Sequence, residues 1–103
     1  MDDAYVYILR CSDNSLYTGW TNDIKNRLDK HNKGKGAKYT RARRPCKLVF
    51  YKKVNNKNKA MQIEYRIKRL NKKYKENIVN NFDRKKLELI DWCVPIKLDT
   101  IFN

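Results

Sequence analysis

The chain has 103 residues, 41% of them hydrophobic, and carries 25 Lys and Arg against 11 Asp and Glu for a formal net charge of +14. That length allows one modest core and not two, and apolar residues spread along the whole chain exclude global disorder. A single histidine excludes a His-rich metal centre, and three scattered cysteines (Cys11, Cys46, Cys93) exclude a disulfide framework and a structural zinc site.

Ala4 to Arg10 is an apolar run of β-branched and aromatic residues and reads as a strand. Ser12-Asp13-Asn14-Ser15 is turn chemistry, and Leu16 to Trp20 is the return strand of a hairpin. Thr21 or Asn22 is placed to cap a helix, with Asp23 favourable to its dipole. Ile24, Leu28 and His31 then recur at helical spacing, and Arg27 shares a face with His31 four residues later. Gly34 and Gly36 end that helix. Residues 35–47, "KGAKYTRARRPCK", form a basic loop around Tyr39. Leu48 to Val54 is a third strand, with Pro45 tolerated ahead of its entrance. Asn58 is placed to cap a helix whose apolar face is Ala60, Ile63, Ile67 and Leu70, and Lys72 to Asn81 forms one more. The tail from Phe82 onward has mixed periodicity. The order β-β-α-β-α-α describes an α+β domain over 1–82, a small three-stranded, mainly antiparallel sheet flanked by helices. Residues 83–103 are expected to be an extension packed on it.

Charge distribution says more than total charge. Between Lys30 and Lys75 there are 18 basic residues and one acid, Glu64. Such a field draws in polyanions, nucleic acid foremost, and DNA is the expected partner with RNA second. A membrane surface is not expected, because no segment pairs a basic face with a broad apolar one. Met1-Asp2-Asp3 shows no secretory signature and no run reaches spanning length, so a cytoplasmic location is expected.

Nothing resembles a nucleotide-binding glycine loop or a nucleophile elbow, and one acid in the basic stretch is too few for a two-metal site. Glu64 falls on the margin of its helix's apolar face, about 40° from Ala60 and about 60° from Ile67. A carboxylate half-shielded there needs a cation or a metal. Lys68 one turn on is the plain alternative, and both readings stand open at this point. Arg27 and His31 have equally plain alternatives, as a solvated arginine and a core-edge histidine.

Taken together, Tyr5-Val6-Tyr7, Tyr17-Thr18-Gly19, Arg27 with His31, and Glu64 on a later helix resemble the GIY-YIG nuclease superfamily. The segment with Gly34, Gly36, Lys38-Tyr39-Thr40-Arg41 and Arg43-Arg44-Pro45 is similar to its small stand-alone bacterial members. Tyr5 stands where the family has glycine and Thr18 where it has isoleucine. The resemblance implies a metal-dependent endonuclease hydrolysing DNA, with work in DNA repair or recombination; a non-catalytic nucleic-acid-binding module of the same fold is the alternative. It implies Tyr7 and Tyr17 at the active site, one of them assisting deprotonation of the attacking water. Arg27 would lie on the scissile phosphate, and His31 would be a phosphate contact or a proton-transfer aid. Glu64 would be the ligand of one Mg²⁺ or Mn²⁺ ion. Lys35, Lys38, Tyr39, Arg41, Arg43 and Arg44 form the expected nucleic-acid contact. Many members also place an asparagine after the glutamate helix, for which Asn71 and Asn77 are the candidates. A nuclease needs both phenols on one face. Since side chains alternate along a strand, the hairpin must then have an odd-length loop or a bulge between Arg10 and Tyr17.

Overall fold

The computed structural model describes residues 3–82; the 83–103 extension lies outside them. Three strands, β1 (Ala4–Arg10), β2 (Leu16–Thr21) and β3 (Lys47–Val54), form an antiparallel sheet in the order β2-β1-β3. The helices are α1 (Ile24–Asn32), α2 (Lys38–Arg41), α3 (Lys57–Lys68) and α4 (Lys72–Asn80). The α+β architecture expected from the sequence is present, with one element added. The single turn of α2 lies inside the basic loop and is too short to show a periodic apolar stripe.

The hairpin has the odd loop. Cys11 N–H donates to Ser15 O (2.8 Å) and Asn14 N–H to Cys11 O (2.9 Å), which leaves Ser12, Asp13 and Asn14 as a three-residue connection. Asn14 takes φ of 68°, the left-handed position such loops require and asparagine tolerates. The register that follows pairs Leu9 with Tyr17 and Tyr7 with Gly19. Tyr7 and Tyr17 are therefore diagonal neighbours on one face, with ring centroids 6.5 Å apart.

The central strand is covered on both sides, so its run is continuously apolar. Tyr7, Leu9 and Cys11 pack with Ile24 and Leu28 of α1 and with Cys46 and Leu48. Ala4, Val6 and Ile8 pack on the opposite face with Val49, Ala60 and Ile67. Between Ile8 and Leu9 the pairing with β3 slips by one residue, leaving Val49 as a bulge. Arg10 forms a fork to both oxygens of Glu76 (2.8 and 2.6 Å), tying α4 to the end of β1.

The helix caps differ from the expected ones. Asp23, not Thr21 or Asn22, accepts from Asn26 N–H, and the Thr21 hydroxyl instead accepts from Asp23 N–H. Asn56, not Asn58, accepts from Lys59 N–H and starts α3 two residues earlier. Asn71 caps α4 through Tyr74 N–H (3.1 Å), so its side chain is already engaged.

Candidate active site

Each functional side chain is aimed by a local feature of the sequence. Tyr7 is buried, and its phenol lies flat across its cross-strand partner Gly19. A Cβ at residue 19 would stand 2.5 Å from Tyr7 Oη and 2.7 Å from Cζ, which is why the second motif ends in glycine. Helix α1 brings Arg27 and His31 over the same phenol. Tyr7 Oη is 2.9 Å from His31 Nε2, and the Arg27 guanidinium is within hydrogen-bonding reach of Tyr7 and, more weakly, Tyr17. Tyr17 is half-buried and meets His31 edge-on at 5.3 Å between centroids.

Glu64 comes from α3, which packs on β1 and β2. Its side chain is 20% exposed, and its Oε2 lies 3.6 Å from Lys68 Nζ. The same Lys68 Nζ stands 5.8 Å from the Tyr17 ring centre, and the Glu64 charge is felt at Tyr7. Of the two readings of Glu64 from the sequence, the pair with Lys68 is the one this geometry contains. Asn77, by contrast, lines a groove with Phe50 and Ile78 on the other face of the sheet.

Burial shapes the electrostatics. It pushes the Tyr7 phenol up to about 12, against the Arg27 hydrogen bond that pulls it down. It also pushes the His31 imidazole down to about 4, with the nearby Arg27 charge acting in the same direction. At neutral pH both groups are uncharged, and Arg27 is the cation that acts on both. His31 has no exposed surface, so direct contact with a phosphate, one of its two expected roles, is closed to it.

The His31 shift sets a stability dependence. Between pH 6.5 and about 4 the unfolded chain takes up a proton that the folded one refuses. Stability is therefore complete above pH 6.5 and falls as pH drops through that window, by roughly 3 kcal/mol. Denaturant unfolding at pH 7 and pH 5 is expected to show the loss, and His31→Gln to flatten the slope between them. An unchanged slope would mean that the folded state already protonates the ring.

The basic loop divides into exposed cations and engaged ones. Lys35, Lys38, Arg41 and Arg44 are exposed, although Arg44 also reaches the carbonyls of Arg41 (3.0 Å) and Asn32 (3.5 Å). Arg43 is tied down: its Nε donates to Asp13 (3.0 Å), one amino group donates to the Tyr39 carbonyl (2.9 Å), and its guanidinium lies 3.9 Å over the Tyr39 ring. Tyr39 in turn stacks on Tyr17, with centroids 6.0 Å apart. Lys38, Tyr39, Arg41, Ala42 and Arg43 line an open cavity of about 730 Å³.

Among the described residues no three His, Cys, Asp or Glu side chains cluster, so these residues supply no all-protein cage for a metal. The donor chemistry does fit one hard cation. Magnesium-type ions keep most of their water and need only one or two carboxylates beside substrate oxygens, and Glu64 offers one partly shielded carboxylate whose charge is felt at Tyr7. No helix among the described residues is long and apolar enough to cross a membrane.

Comparison with known proteins places these features in a family. A family model described as the GIY-YIG catalytic domain matches residues 3–77. A UPF0213 protein of Bacillus velezensis is 52% identical over 82 residues, covering 80% of this chain and 83% of that one. Another from Oceanobacillus iheyensis is 61% identical over 71 residues, covering 68% and 83%. Among solved structures, the UPF0213 protein of Bacillus halodurans, determined by solution NMR, matches with a TM-score of 0.51 at 49% identity, covering 76% of this chain and 83% of that one. A protein from E. faecalis, also solved by NMR, matches with a TM-score of 0.53 at 32% identity, covering 93% and 97%.

Proposed function

Because this chain belongs to the GIY-YIG catalytic-domain family, a family of nucleases, we propose that it is a metal-dependent endonuclease that hydrolyses DNA phosphodiester bonds. The observation that carries this reading is the convergence of Tyr7, Tyr17, Arg27 and His31 on one point, with Glu64 at its edge. A protein that only bound nucleic acid would need none of that arrangement.

In this reading the exposed cations Lys35, Lys38, Arg41 and Arg44 hold the phosphate backbone, and Tyr39 and Arg43 form the wall beside the scissile position. Arg27 contacts the phosphate to be cut and stabilises the charge that develops on it. Tyr7 and Tyr17 flank the attacking water. A phenol held at about 12 is not a resident phenolate at neutral pH, so Tyr7 takes a proton from water only while passing its own to His31 Nε2. Arg27, against the same oxygen, offsets the negative charge on Tyr7 during that transfer. Glu64 would hold Mg²⁺ or Mn²⁺, which when bound supplies charge neutralisation at the leaving oxygen.

The substrate class is tested by presenting duplex, single-stranded, flapped and branched DNA, and RNA of the same sequences, with Mg²⁺ or Mn²⁺. Cleavage of at least one DNA is expected, and branched or damaged forms fit work in repair or recombination. Tight binding to all of them with no strand cut would favour the binding module.

A further inference from the structure

The segment between His31 and Pro45 contains a feature that neither phosphate contact nor surface charge explains. Thr40 is fully buried in a basic surface loop. Its Oγ1 lies 2.7 Å from His31 Nδ1 and 3.0 Å from the Ala37 carbonyl oxygen. A carbonyl can only accept, so the hydroxyl proton points at Ala37, and Oγ1 is left to accept from the imidazole. Nδ1 therefore carries the ring proton. Nε2 is bare, and the contact at 2.9 Å runs from the Tyr7 hydroxyl to Nε2. The direction of every hydrogen bond in the chain Tyr7–His31–Thr40–Ala37 is set at its far end by one backbone carbonyl.

That carbonyl is itself fixed. Ala37 precedes α2, and its oxygen also accepts from Arg41 N–H (3.1 Å), so the single turn of α2 holds the acceptor in place. The imidazole has no freedom to tilt away. A Cβ at residue 36 would collide with His31 Nδ1 and stand 2.8 Å from its Cγ, so Gly36 leaves room for the ring and for nothing larger.

We infer that Thr40 is a positioning residue: its hydroxyl fixes the Nδ1–H tautomer of His31, so that Nε2 faces Tyr7 as a proton acceptor. The inference deepens the hydrolytic role proposed above for Tyr7 and rests on it for its catalytic consequence alone. Without the hydroxyl, Nδ1–H has lost its acceptor and the proton is better placed on Nε2. It would then donate to the Tyr7 oxygen, which already faces Arg27, and the phenol proton would have nowhere to go. Partners that hold a functional imidazole in place without touching substrate, such as those behind metal-bound histidines, are typically worth about 10- to 100-fold when removed.

The chain has one histidine, so a long-range ¹H–¹⁵N spectrum of the imidazole reads the tautomer without ambiguity. Wild-type protein and Thr40→Ser are expected to show Nδ1 protonated and Nε2 bare, and Thr40→Val to show the reverse. In cleavage assays Thr40→Val is expected to lose about 10- to 100-fold in kcat with KM little changed, and Thr40→Ser to restore most of it. A wild-type spectrum with the proton on Nε2 would overturn the inference even if Thr40→Val failed to fold. So would Thr40→Val retaining the Nδ1–H form. If the tautomers behave as expected while the wild-type protein cuts no nucleic acid, the hydrolytic reading fails and the positioning stands.

Discussion

Glu64→Gln is expected to fold normally, to bind nucleic acid as well as the wild type, and to cut it at least about 100-fold more slowly. The substitution keeps the side chain's shape and removes one negative charge from a strongly basic stretch, so affinity has no reason to fall. A metal that neutralises charge in the transition state contributes several kcal/mol, and each ~1.4 kcal/mol is tenfold in rate. No other carboxylate lies between Lys30 and Lys75 to replace it. The competing view treats Glu64 only as the partner of Lys68. That pair is 3.6 Å long with the lysine side chain 49% exposed, and exposed pairs are worth well under about 1 kcal/mol. It therefore requires a small stability change and no effect on rate. Steady-state cleavage and chemical denaturation of the two proteins decide between them, and equal cleavage rates would remove the metal assignment.

Arg27→Ala is expected to separate cleavage from binding in the same direction. Removing one group that stabilises developing charge costs about 10²- to 10³-fold in rate. Affinity should change by only a few fold, because many exposed cations share the backbone contacts. Paired substitutions in the loop, Lys35 with Lys38 or Arg41 with Arg44, are expected to do the opposite. They should weaken binding and lower the slope of log affinity against log salt by about 1 to 2, while the rate on bound substrate holds. Fluorescence anisotropy across a salt series and single-turnover cleavage measure both quantities. If Arg27→Ala and the loop pairs lost affinity equally and nothing else, Arg27 would be one more phosphate contact.

Much of this arrangement was legible in the residues, for identifiable reasons. Strand alternation made the position of Tyr7 and Tyr17 a question of loop parity, and the three-residue turn with Asn14 at φ of 68° answers it. The 100° helical step placed Glu64 on the margin of α3, where it is 20% exposed beside Lys68. The helix caps were misplaced by one or two residues because Thr21, Asn22 and Asp23, and again Asn55, Asn56 and Asn58, are all competent caps and only tertiary context chooses. The single turn of α2 is shorter than a hydrophobic period. The Val49 bulge answers to packing on both faces of the sheet, which no local pattern records.

The site residues that sequence reasoning missed act through contacts distant in sequence. Thr40 and Gly36 look like loop residues until the fold brings His31 against them. Asn32 looks like a helix end, yet its side chain donates to Cys46 O (3.0 Å) and accepts from Cys46 N–H (2.7 Å), clamping the basic loop to α1. Asp13 looks like turn chemistry alone, yet it anchors Arg43 and through it Tyr39 and Tyr17. For Gly36 and Thr40 the one sequence signal is spacing, a glycine five and a threonine nine residues after the only histidine.

Whether this chain is a hydrolase or a binder is decided most directly by measuring binding and cleavage of one labelled DNA in the same tubes, with Mg²⁺ and with chelator. The expected result is binding under both conditions and strand cleavage only with the ion. Binding under both conditions with the DNA left intact, for every DNA form and with Mn²⁺ as well, would contradict a hydrolytic centre at Tyr7, Arg27 and Glu64.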